Sequence, residues 1–88
     1  MPLISHFYGI LIYIYYEAGG KHHKPHFHAK YAEHEAVYDF DGELLEGQLP
    51  RRQSKYVEAW TLRYQDELNA AWVAWQEYGE VIKIDGLR

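Results

Sequence analysis

The stretch that decides the fold is Pro25-His26-Phe27-His28-Ala29-Lys30-Tyr31-Ala32-Glu33-His34-Glu35-Ala36-Val37-Tyr38-Asp39-Phe40. Successive side chains of a strand point to opposite faces. In the first half His26, His28 and Lys30 therefore share one face, and Phe27, Ala29 and Tyr31 share the other. In the second half Ala36, Tyr38 and Phe40 alternate against Val37 and Asp39. The connection is short, so residues 26–31 and 35–40 are expected to form a hairpin. For both apolar faces to point inward together, paired residue numbers must sum to an odd value. A two-residue loop at Ala32-Glu33 pairs His26 with Asp39; a loop at Glu33-His34 pairs His28 with Asp39. Either way both histidines share a face with Asp39, point away from Phe27 and are expected to leave the core.

Upstream, Phe7 to Tyr16 is dense in β-branched and aromatic residues and reads as one long central strand. Ile10, Ile12 and Ile14, with Tyr8 and Tyr16, form its better core face. Gly9 in such a strand points to close approach of another group. Glu17-Ala18-Gly19-Gly20 ends the strand and opens a loop running to Pro25. Downstream, Asp41-Gly42 is a turn signal and Glu43 to Glu46 a short further strand. Pro50 then opens a helical region. Val57, Trp60, Tyr64, Leu68, Ala71, Trp72 and Trp75 recur at spacings of three and four, an amphipathic stripe lasting to Gly79. It is either one long helix or a pair broken near Gln65-Asp66, with Asp66 as a cap for the second. Residues 80–84 alternate and are expected to add an edge strand. The chain is thus one α+β domain over 1–88. Residues 1–49 are mostly β, 50–79 helical, and 80–88 an edge strand and tail. An antiparallel sheet of four or five strands packs one face on the helix or helix pair. The other face carries Tyr13, Tyr15, His26, His28 and Asp39 and must meet solvent or a partner.

Composition narrows the function classes. With 88 residues there is room for one core. Aromatic residues make up 17%, enough to fill a small core and to favour a dimer surface as well. The chain contains no Cys, which excludes thiolate zinc sites and cysteine nucleophiles and points to a cytoplasmic setting. Residues 1–6 lack the basic start of a signal peptide, and the ten-residue apolar run is too short to span a membrane as a helix. A net charge of −4 argues against broad, sequence-independent nucleic-acid binding. Lys21, Lys24 and Lys30 cluster with His22, His23, His26 and His28, and the acidic stretch 33–46 follows. Cross-strand compensation explains that pattern without any site.

Three constellations could carry chemistry. His26 and His28 project side by side from one strand. Two imidazoles so placed can act as general acid and base on a phosphodiester without a metal. They can also ligate a divalent first-row metal with Asp39 as third ligand and His22-His23 nearby; otherwise no cofactor is expected. Arg51 and Arg52 open a helix where acidic residues are usual, so a phosphate there could use both guanidinium forks and the helix amides. An ion pair with Glu43 or Glu46, or with a partner protein, accounts for them without a phosphate. Tyr13 and Tyr15 could stack on unpaired RNA bases or form a protein interface.

Ile4-Ser5-His6-Phe7-Tyr8-Gly9-Ile10, Pro25-His26-Phe27-His28, Ala36-Val37-Tyr38-Asp39 and Gly47-Gln48-Leu49-Pro50-Arg51-Arg52, followed by Trp60, resemble a family of short prokaryotic proteins. It is the domain of unknown function numbered 4160. The family usually shows two prolines before its His-Phe-His; here Lys24 stands at the first. The resemblance implies no assigned catalytic residues. It implies a small partner protein encoded nearby, in an arrangement like that of toxin–antitoxin pairs. The expectation is therefore a component of such a two-protein module. As a toxin it would engage RNA or another phosphate ligand through His26, His28, Arg51 and Arg52. The alternatives are a non-catalytic module that binds a small protein through the aromatic sheet face, and a metal-binding protein.

Overall fold

A computed structural model describes residues 2–15 and 24–88. Five strands form one antiparallel sheet in chain order: β1 (Leu3–Phe7), β2 (Ile10–Tyr13), β3 (His26–Tyr31), β4 (His34–Asp39) and β5 (Leu44–Gly47). Two helices follow, α1 (Arg51–Arg63) and α2 (Gln65–Tyr78). The expected α+β fold is the one observed. Among the described residues no helix is long and apolar enough to cross a membrane.

The β3–β4 hairpin adopts the first of the two expected registers. Its loop is Ala32-Glu33, and His26 pairs with Asp39, His28 with Val37 and Lys30 with Glu35. Both apolar sets then face one way. Phe27 stacks on Tyr38 at 5.7 Å and meets the Trp60 ring edge-on at 5.5 Å.

The run from Phe7 to Tyr16 is not a single strand. Tyr8 and Gly9 both adopt positive φ, 50° and 79°. That is the backbone of a tight two-residue hairpin turn, and it folds β1 back onto β2. Tyr8 is consequently exposed rather than part of the core face, whereas Ile10, Ile12 and Ile14 are fully buried. Gly9 does meet a close neighbour: a Cβ there would lie 3.3 Å from the Tyr31 ring. Tyr16 and the Gly19-Gly20 loop lie outside the described residues.

The helical region breaks, as the second alternative expected, at Tyr64 (φ −115°, ψ 31°). Asp66 is not the cap. It sits in the first turn of α2 with Glu67, where a carboxylate complements the helix dipole. α2 ends at Gly79 (φ 67°), with the Gly79 amide donating to the Trp75 carbonyl and the Glu80 amide to that of Ala74. This is the paired closure that a left-handed residue permits.

Residues 80–84 do not form the expected edge strand. Lys83 and Ile84 lie against the outer edge of β1 with no ladder. The Ile84 amide donates to the Ile4 carbonyl at 2.7 Å, and the Lys83 ammonium donates to the Leu3 carbonyl at 2.6 Å. Ile84 is buried, and the Trp60 indole donates to the Asp85 carbonyl at 2.8 Å. Anchoring by a side chain and an indole has replaced strand pairing.

Candidate functional site

The His-Phe-His strand was expected to present two histidines on an open face. For His26 this is corrected: it is 1% exposed. Trp72 of α2 lies 5.5 Å from its ring and meets the Phe40 ring edge-on at 5.9 Å. His26 and Phe40 belong to opposite faces of the hairpin, so α2 crosses its end and closes over both. His26 Nδ1 lies 2.9 Å from the Lys24 carbonyl. A carbonyl only accepts, so that nitrogen carries a proton and donates. His26 is thereby a packed and oriented core residue.

Asp39 is also buried rather than open to solvent. One carboxylate oxygen accepts the amides of Asp41 and Glu43, each at 2.9 Å, and closes the turn after β4. The other lies 3.0 Å from the Lys24 ammonium. Burial pushes the carboxyl pKa up, but the Glu43 amide, Lys24 and the Asp41 amide together outweigh it and hold it below its ordinary value. The same pair raises the pKa of Lys24. Asp39 is thus bound to a turn and a lysine. Among the described residues no three His, Asp or Glu side chains are placed to hold a metal ion, and that includes His26, His28 and Asp39. His22 and His23 lie outside the described residues. Beside Asp39 a cleft of about 330 Å³ is lined by Lys24, Phe40, Asp41, Gln65 and Asp66.

His28 remains at the surface, part-exposed. Its ring meets Tyr15 edge-on at 4.1 Å, and its Nδ1 lies 3.6 Å from the Glu35 carboxylate. Tyr13 and Tyr15 stack at 6.3 Å, and the Lys30 ammonium sits 5.4 Å from the Tyr13 ring, within cation–π range. Burial raises the Tyr15 hydroxyl pKa above its ordinary value, against the lowering pull of Lys30. Strand pairing puts these residues in rows. Tyr13 pairs with His28, His28 with Val37 and Val37 with Glu46; alongside, Leu11 pairs with Lys30 and Lys30 with Glu35. A shallow hollow of about 260 Å³ is lined by His28, Glu35, Ala36, Val37, Glu46 and Gly47. Lys30, Glu35 and Glu46 were not among the expected site residues. The hairpin register already placed Lys30 and Glu35 opposite one another, and that pairing was the signal for them.

Arg51 and Arg52 do open α1 and are exposed. The helix packs on the Phe27–Tyr38 face, through Trp60 and a 2.8 Å hydrogen bond between Ser54 and the Tyr38 hydroxyl. The sheet therefore stands between this helix and His28. The arginines and the histidines, expected as one phosphate site, are not brought together. Among the described residues the helices touch the histidine face at its His26 end and at the Tyr15 carbonyl, which accepts from Gln76 at 3.3 Å. Tyr13, His28 and Lys30 stay part-exposed.

A family model described as a domain of unknown function (DUF4160) matches residues 9–73. This is well over half of the chain, and the chain belongs to that family. The match runs from the Gly9 turn through the His-Phe-His strand and α1 into α2. No curated protein and no solved structure matches the chain.

Proposed function

We propose that this protein is the non-catalytic interaction component of a toxin–antitoxin-like two-protein module, docking a small partner protein on its open sheet face. One observation carries the reading. Tyr13, Tyr15, His28 and Lys30 form a contiguous, part-exposed ring-and-cation cluster on the side of the sheet opposite α1. Tyr presents a large, stiff, amphipathic surface and is favoured at interfaces. The buried state of His26 and the position of Arg51 and Arg52 favour this reading over two-histidine cleavage of RNA.

The test is co-expression with the small protein encoded beside it, followed by co-purification. Tyr13→Glu and Tyr15→Glu each place a carboxylate in the cluster. Each is expected to weaken the complex by roughly ten-fold or more while the thermal melt stays near wild type. Undisturbed assembly of both variants would refute the reading. Cleavage of RNA by the wild type, lost in His28→Ala with the fold intact, would replace it with the catalytic one.

A further inference from the structure

Helix α1 carries a charge opposite to that of the molecule. Its 13 residues include Arg51, Arg52, Lys55 and Arg63 against one carboxylate, Glu58. The whole chain has 13 acidic residues against 9 basic ones. Glu58 accepts from the Ser54 hydroxyl at 3.2 Å, and the Arg63 guanidinium stands over the Tyr64 ring at 5.4 Å. Arg51, Arg52 and Lys55 are exposed, and among the described residues they make no ion pair and no ring contact. The pairing with Glu43 or Glu46 that would account for the two arginines is therefore not formed.

An aromatic pair adjoins these cations. Residues four apart on a helix lie on the same flank, which sets Arg52 one turn from Tyr56. The Tyr56 ring lies 4.8 Å from that of Tyr8 at the β1–β2 turn. Tyr8 also meets the Phe7 ring at right angles at 6.3 Å, and it is still 54% exposed. A solvent-open ring and unpaired guanidinium groups thus share one corner of the molecule, where the β1–β2 turn meets α1. That corner belongs to the α1 side of the sheet, away from Tyr13 and His28.

We propose that this corner binds single-stranded nucleic acid, with an unpaired base stacked on Tyr8 and neighbouring phosphates on Arg51, Arg52 and Lys55. The inference uses α1 rather than the open sheet face, so it stands apart from the docking of a partner protein. An aromatic side chain stacks on any base. A guanidinium fork offers two parallel N–H donors to a phosphate. A nucleotide chain supplies a flat ring beside each anion, as the corner requires. An acidic protein segment supplies the anions without the rings. A duplex keeps its bases in its own stack and leaves Tyr8 unused. The net charge of −4 repels a polyanion from the rest of the surface, so the contact is short and confined to this corner.

The experiment titrates the isotope-labelled full chain with a uridine decamer at low salt. A glutamate decamer and an RNA duplex of the same length are the controls. The uridine decamer is expected to move the amide resonances of Tyr8, Gly9, Arg52 and Tyr56 saturably below millimolar concentration. Three phosphate contacts on a single strand give a slope of about −2 in log affinity against log salt. Arg52→Gln is expected to weaken binding several-fold and to flatten that slope by about 0.7. Tyr8→Asn, whose side chain tolerates the left-handed backbone, is expected to weaken binding roughly ten-fold with the slope unchanged. No saturable shift at millimolar decamer would overturn the proposal, as would wild-type affinity in both variants or shifts confined to Tyr13, His28 and Lys30. Equal binding of the glutamate decamer would replace it with an acidic protein partner, and tighter binding of the duplex would remove the stacked base. None of these results bears on whether Tyr13→Glu breaks the partner complex, so the two readings fail separately.

Discussion

Asp39 accepts two turn amides and faces one lysine, and its worth to the fold depends on its charge. With the native pKa below the ordinary 3.8, the carboxylate stabilises the folded state fully above that ordinary value. The contribution is lost as pH falls through the lowered native pKa. Unfolding free energy measured by urea titration should therefore decline on acidification below about pH 4, and Asp39→Asn should flatten that decline. Asp39→Ala leaves the Asp41 and Glu43 amides without their acceptor and should cost about 2 kcal/mol at neutral pH. Lys24→Ala should cost far less, because its ammonium is over half exposed. That Asp39 shares a face with His26 was legible from alternation alone. Its burial was not, since a strand's pattern says which face a residue takes but not what covers that face. Trp72 covers His26, and it comes from a helix more than forty residues later in the chain.

Among the elements, turns decided what the sequence pattern left open. Parity narrowed the β3–β4 hairpin to two registers, because a one-residue slip would have turned Phe27 and Tyr38 outward, and the structure takes the one with the Ala32-Glu33 loop. The β1–β2 turn was hidden. Tight hairpins usually announce themselves by Asn-Gly or Asp-Gly, and here a tyrosine takes the first positive φ inside an unbroken apolar run. Tyr8 is held there by its ring contact with Tyr56 at 4.8 Å. Ala32 has the same backbone problem, with φ 52° in an exposed loop. An alanine in the left-handed region costs roughly 1 kcal/mol relative to glycine. Ala32→Gly should accordingly raise the urea midpoint by an amount equivalent to about 0.5–1 kcal/mol, and unchanged or lowered stability would contradict this account.

For the molecule as a whole, the core joins β1 and the segment after α2 to the central aromatic cluster. Phe7 lies 5.3 Å from Trp60, and Trp60 in turn holds the Asp85 carbonyl. Ile84 fills the remaining gap at the β1 edge. Ile84→Ala should cost about 2 kcal/mol and free residues 80–88 from that edge. Faster amide exchange at Leu3 to Ser5, together with increased light scattering on heating, would report the exposed strand. Ile84 is buried, and Ile82 on the same alternation face is exposed; the alternation in residues 80–84 predicts an edge strand and no more. It could not distinguish a ladder from a tail anchored by side chains, since the difference lies in the Lys83 and Trp60 contacts.

The bond from Lys83 to Leu3 spans a sequence separation of 80 residues, and this has a consequence for synthesis. A chain emerging from the ribosome delivers β1 long before its cover. Until residues 83–86 emerge, β1 is therefore present without the segment that shields it. Nascent chains are open to mispairing and chaperone capture through that edge, and the closing contact is of the long-range kind that folds slowly. Deleting residues 83–86 would leave that vulnerable interval permanent.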